Sequence, residues 1–183
     1  GLEAYCGLKK YAITGTDTYG NEEVAAAIRE KKVAMGVTWS GQLGRIYQED
    51  CLEREDLAFT TLSTAWNVTW SFAVNARSEK QETAGRLLRY LRSARIDKVA
   101  GAYSGAPVRQ EIYVLGQDEF PWYACQQQMI ERAKPLPVMA QAADKHALFY
   151  AEIAQAFAGK KSPAAAMRAV AREISSLEKC GRC

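Results

Sequence analysis

The chain has 183 residues, 48% of them apolar, enough to bury a real core and too apolar for a disordered or fibrous protein. Its 24 basic side chains against 21 acidic ones leave a net charge of +3, so nucleic acid is not an expected partner. The most apolar stretches do not suffice for a bilayer span: Val33 to Val37 is short, and Ala147 to Ala158 carries Glu152.

In chain order, helical and strand-like patterns alternate with no repeat, low-complexity tract or Pro/Gly linker, which predicts an α/β organisation. Asn21 is suited to cap a helix running to about Lys31, with Val24, Ala27 and Ile28 on one face. A strand is predicted over Val33 to Thr38. Its end, Gly36 to Gly41, places Trp39 and Ser40 where strand gives way to a helix over Gln42 to Gln48, a favoured place for ligand contact in α/β folds. Glu49 to Asp56 reads as a solvated acidic loop without chemistry, and Leu57 to Leu62 as a second strand. Trp66, Asn67, Thr69 and Trp70 follow, and the segment to Asn75 alternates as a strand.

Ser78 to Gln81 has the spacing of a capping box, opening a helix whose apolar face is Ala84, Leu87, Leu88 and Leu91. Arg86, Arg89 and Arg92 form a basic stripe on its outer face, read as solvated. Tyr103 lies in a glycine-punctuated turn, Gly101 to Pro107, and Pro107 suits a first helical turn. Helices are predicted from about Pro121 to Ala133, holding Trp122 as core, and from Asp144 to Ala158, with a stripe of Phe149, Ile153 and Phe157. Gly159 ends that helix. Ser162-Pro163 starts the last one, with Met167, Val170 and Ile174 inward.

Five cysteines, Cys6, Cys51, Cys125, Cys180 and Cys183, are too few for a disulfide scaffold. Cys180-Gly-Arg-Cys183 has redox-motif spacing but ends the chain instead of opening a helix; a disulfide and a frayed tail stay open as readings. His146 stands alone, far in sequence from every cysteine, so no metal site and no cofactor are expected. No serine elbow, phosphate loop or paired metal ligands appear, and no catalytic residue is assigned.

Four motifs in order carry a resemblance. They are Lys31-Lys-Val-Ala-Met35 followed by Trp39; Trp70-Ser-Phe-Ala-Val-Asn75 leading to Ala84-Gly-Arg-Leu-Leu-Arg-Tyr90-Leu91; the Gly105-Ala-Pro107 turn; and Lys134-Pro-Leu-Pro137 with Gly159-Lys-Lys-Ser162-Pro-Ala-Ala-Ala166. In these the chain resembles the C-terminal part of extracellular solute-binding proteins of the carbohydrate ABC-importer type, the maltose-binding-protein-like class. Trp66 to Trp70 departs from it, standing where that class has a small or glycine-rich ligand loop. The resemblance implies an α/β fold of the type II periplasmic-binding-protein kind, seen as the second lobe plus a segment of the first. Residues 1–72 and 121–183 would belong to the second lobe, and 73–120 to the first lobe and the hinge crossing. Members of the class are longer, so the chain would be a truncated piece, prone to self-association around 73–120.

The implied function is capture of a sugar or oligosaccharide for delivery to the membrane permease of an ABC importer. That would place the chain in the periplasm or outside the cell, with a lipid anchor on the full-length protein as a variant. Sugar chemistry fits the residues independently. A pyranose offers an apolar C–H face to indole and hydroxyls to polar groups, so Trp39, Ser40, Trp66, Asn67, Trp70 and Tyr103 are the candidate ligand contacts. A polyamine, an amino acid or a metal chelate is the alternative solute, and cleft carboxylates would mark a cationic one. An enzyme on glycosides, or a stand-alone interaction domain using the arginine stripe, are the rival classes.

Overall fold

Helix makes up 57% of the chain and strand 2% in the computed structural model, which describes residues 1–180. The expected α/β fold of the type II periplasmic-binding-protein kind is therefore not the fold of this chain. Its only sheet among the described residues pairs β1 (Trp66–Asn67) in parallel with β2 (Lys134–Pro135). Contacts divide the chain into two units, one of Gly1–Tyr19 with the chain from Pro137 onward, the other Gly20–Leu136. The reading of the Cys180–Cys183 spacing lies outside the described residues, and no helix among the described residues is long and apolar enough to cross a membrane.

The first unit packs α1 (Leu2–Gly7) with α8 (Ala142–Phe157) and α9 (Pro163–Cys180). Buried Ala156, Ala166, Ala169 and Val170 are small enough to let the two long helices approach. Tyr5 lies against Phe157 at 5.2 Å between ring centroids, and Lys9 Nζ donates to the Phe157 carbonyl at 2.9 Å. The junction between α8 and α9 follows its sequence signals. Gly159 takes φ +78° while the N–H groups of Gly159 and Lys160 donate back to Ala156 and Gln155, closing the helix end. Ser162 Oγ then accepts from the Ala165 N–H at 3.2 Å and caps α9.

The second unit contains α2 (Asn21–Arg29), a 3-10 turn at Ser40–Gln42 running into α3 (Leu43–Ile46), α4 (Gln81–Leu91), α5 (Ala94–Ser104), α6 (Gln110–Leu115) and α7 (Tyr123–Arg132). Its core joins Ala25 of α2, Leu43 and Ile46 of α3, Ala102 of α5 and Ile112 of α6 to the rings of Tyr113, Phe120, Trp122 and Tyr123. At the start of α2 the Gly20 N–H donates to Glu23 Oε2 at 2.8 Å. Its end is closed by the same double bond pattern as α8, from Lys31 and Lys32 to Ile28 and Ala27, with Lys31 instead of glycine in the left-handed region at φ +56°. The box expected at Ser78 does not form: Ser78 Oγ accepts from the Lys80 N–H, and helix begins only at Gln81.

The three predicted strands fail for a common reason, the absence of a neighbour to pair with. Val33 to Thr38 doubles back along α2, where Gly36 brings its backbone so close to Ile28 that an added Cβ would lie 2.6 Å from the Ile28 Cδ1. The helix takes the place a second strand would fill. Leu57 to Leu62 does alternate, with Leu57 and Phe59 turned toward the core and Ala58 and Thr60 exposed, yet it crosses aromatic rings and forms no ladder. Trp70 to Asn75 is exposed along its whole length.

Where α3 meets α5 the backbones touch. A Cβ on Gly44 would collide with the Ala102 carbonyl oxygen and come within 3.4 Å of the Trp122 ring. Gly44→Ala is expected to destabilise the chain by about 1–3 kcal/mol, the usual cost of overpacking a rigid contact. Urea unfolding followed by circular dichroism would check this, and an unchanged midpoint would show that the crossing has room to give.

Candidate functional site

The second unit is organised by a continuous cluster of rings. Trp122 contacts Tyr47, Phe59, Phe120 and Tyr123, at centroid separations from 5.4 to 6.2 Å, and Tyr103 meets Phe120 edge-on at 6.2 Å. Such tilted and edge-on pairs favour each other beyond the area they bury. Tyr103 is the outlying member, 56% exposed, whereas Trp122 and Phe120 are buried.

Two polar side chains position the segments around this cluster. The buried Asp97 carboxylate of α5 accepts the backbone N–H groups of Val108 at 2.9 Å and Arg109 at 3.0 Å, fixing the turn into α6. That turn also presents the Pro107 carbonyl to the Tyr113 hydroxyl, which donates to it at 2.7 Å. Gln126 of α7, itself buried, donates through Nε2 to the carbonyls of Ser40 at 2.9 Å and Gly105 at 3.2 Å. Ser40 and the end of α5 are thereby held together.

Beside Tyr103 lies an open depression of about 500 Å³. Tyr47, Tyr103, Phe120 and Trp122 supply its apolar part; Gln48, Glu49, Asp50, Arg54 and Glu119 supply its polar rim. Three rim charges are engaged: Arg29 pairs with Asp50 at 3.3 Å, Lys98 with Glu119 at 2.8 Å, and the Arg54 guanidinium sits over the Tyr47 ring at 4.5 Å. Carboxylate oxygens and an amide thus stand around a half-open aromatic floor.

Of the six predicted ligand residues, Tyr103 alone lines this depression. Trp39 is 49% exposed at the start of the 3-10 turn, and the Ser40 carbonyl accepts from the same Gln126 amide as that of Gly105, two residues beyond Tyr103. Trp66 and Asn67 form β1, and Trp70 is almost fully exposed. Among the described residues no ring contact joins Trp39, Trp66 or Trp70 to one another. Trp122 is core, as expected from the sequence, but it also contributes to the lining. Sequence reasoning missed Tyr47, Glu49, Asp50, Phe120 and Glu119. The acidic run read as plain solvated loop contributes two of these. Its one local signal is Tyr47 standing just before the acids, and nothing in the spacing announces that Glu119 and Phe120 join them.

Among the described residues, no three His, Cys, Asp or Glu side chains are grouped to hold a metal ion. Cys6, Cys51 and Cys125 are free thiols, and burial pushes the Cys125 thiol above its ordinary range. No protein-family model matches the chain, and no curated protein matches it.

Tyr113 and Tyr123 pack ring to ring at 5.4 Å but differ in their hydroxyls, since that of Tyr123 is buried without a hydrogen-bond partner. Burial, with the nearby Asp97 charge, pushes the Tyr123 phenol up to about 12, and burial also raises that of Tyr113. Raised phenol values stabilise the fold below pH 10; this contribution is lost as pH climbs from 10 through the folded-state value, because the unfolded chain ionises first. Tyr113→Phe is expected to cost about 1 kcal/mol at neutral pH, and Tyr123→Phe to cost nothing or to stabilise. Both variants should lose less stability than the parent between pH 9 and about pH 11.5 in urea melts. An equal loss in all three would remove these tyrosines as the cause.

Proposed function

We propose that this chain is a binding protein for a saccharide, held in the depression beside Tyr103, with no chemistry of its own. The observation that carries the reading is the half-exposed Tyr103 ring next to a rim of Gln48, Glu49, Asp50 and Glu119. The ring offers a flat apolar face for the C–H side of a pyranose, and the rim offers acceptors and an amide for its hydroxyls. Trp39 is a second stacking ring for a longer saccharide, at the segment that Gln126 ties to Gly105. Delivery to the permease of an ABC importer, outside the cytoplasm, is supported by the order of sequence motifs alone.

Carboxylates at the rim favour a second reading, a polyamine or other organic cation. The pairing of the rim charges supports the saccharide. Asp50 and Glu119 already have basic partners, and Arg54 already occupies the Tyr47 face, so a neutral polyol displaces less than a cation would.

A saccharide array probed with the intact chain, followed by calorimetry on the best binder, tests both readings. Tyr103→Ala should weaken binding by about 1–3 kcal/mol and leave the melting temperature nearly unchanged, as expected for a ring that folding leaves exposed. Trp39→Ala should weaken oligosaccharides more than monosaccharides. A blank array, or a Tyr103→Ala variant of unchanged affinity, rejects the saccharide site; spermidine binding that falls steeply with added salt supports the cation instead.

A further inference from the structure

The tryptophans at 66 and 70, which the depression does not use, belong to a different feature. Trp66, Val68, Trp70, Phe72 and Val74 recur at every second position and all are exposed, Trp66, Trp70 and Phe72 by 60%, 94% and 79%. This is the period with which a strand presents one face. The chain makes only two residues of sheet here, Trp66–Asn67 in parallel with Lys134–Pro135, and the rest of the stripe is unpaired. From Leu57 to Ala76 there is no charged residue, no proline and no glycine, so none of the devices that discourage pairing at a strand edge is present.

We propose that this stripe is an interface between two copies of the chain, paired as antiparallel strands about a two-fold axis at Trp70. In that register Trp66 meets Val74 of the second copy and Val68 meets Phe72, giving the self-complementary contact that a two-fold axis requires. Arg77, the first charge after the run, then lies opposite Ser63. A parallel in-register pair would instead oppose Arg77 to Arg77, and like charges directly across a ladder repel. With on the order of 200 Å² for each ring, the exposures of 60%, 94% and 79% leave roughly 450 Å² on three aromatics per copy. Edge-to-edge pairing covers the sides of these rings that face the second copy, so the area removed is a part of twice that figure, which suits a weak, reversible association.

Sedimentation equilibrium on the intact chain over a wide concentration range tests the pairing, with a reversible dimer as the expected result. Trp70→Lys should raise the dimer dissociation constant about 100-fold, and Ser71→Lys, on the alternate face, should change it little. Val68→Lys alone should weaken the dimer, and Val68→Lys combined with Phe72→Glu should restore it, since the register sets the two new charges opposite each other. A monomer at every concentration, open-ended fibres, or a dimer indifferent to Trp70→Lys overturns the proposal. So does a Trp70→Lys chain that loses its helical circular dichroism, because the ring would then be core.

Discussion

A single buried amide, Gln126 Nε2, holds the Gly20–Leu136 unit in its shape. Its two hydrogens go to the carbonyls of Ser40 and Gly105, one opening the 3-10 turn before α3 and the other ending α5. Both are places where backbone groups lack helical partners, and burying them unpaired would be costly. The amide permits the approach, and glycine makes it sterically allowed. Gly41 stands against the Gly105 backbone, where even a Cβ would come within 3.3 Å, and Gly44 stands against Ala102. Asp97 acts in the same way on the loop into α6, accepting two of its N–H groups. With these contacts made, Tyr103 comes to rest beside Phe120, and the depression exists.

The aromatic cluster that fills this frame has a polar cost. Trp122 Nε1, the Tyr123 hydroxyl and Gln126 Oε1 are buried without a protein partner. Each unmet group works against folding, and the packing of Trp122 among Tyr47, Phe59, Phe120 and Tyr123 offsets it. The same packing leaves Tyr103 the most exposed ring at the depression.

Exposed aromatics are thus of two kinds in this unit. Tyr103 lies at a concave place with hydrogen-bonding groups around it, the setting on which the proposed saccharide site rests. Trp66, Trp70 and Phe72 lie on an extended, uncharged segment whose free backbone groups suit another strand. In the sequence all the outlying tryptophans read as one ligand surface, because residue type and a turn-like neighbourhood do not distinguish the two settings.

Features that depend on neighbours along the chain were readable from residue order. Helices α2, α7, α8 and α9 lie close to where periodicity placed them, and the Gly159 and Ser162-Pro163 signals end one helix and start the next. Trp122 was legible as core. Helices α1, α5 and α6 escaped because their apolar spacing is short or interrupted. Pairing across distance arose only in the folded chain. Alternation fixes which face of a segment is apolar, but a strand needs a hydrogen-bonding neighbour, and Val33 to Thr38 found α2 instead. The resemblance to two-lobed solute-binding proteins led to a sheet that is not there. The acidic residues of the depression joined a site only when Gln126, Asp97 and the glycine contacts brought α3, α5 and α7 together, and no local pattern in those segments specifies that meeting.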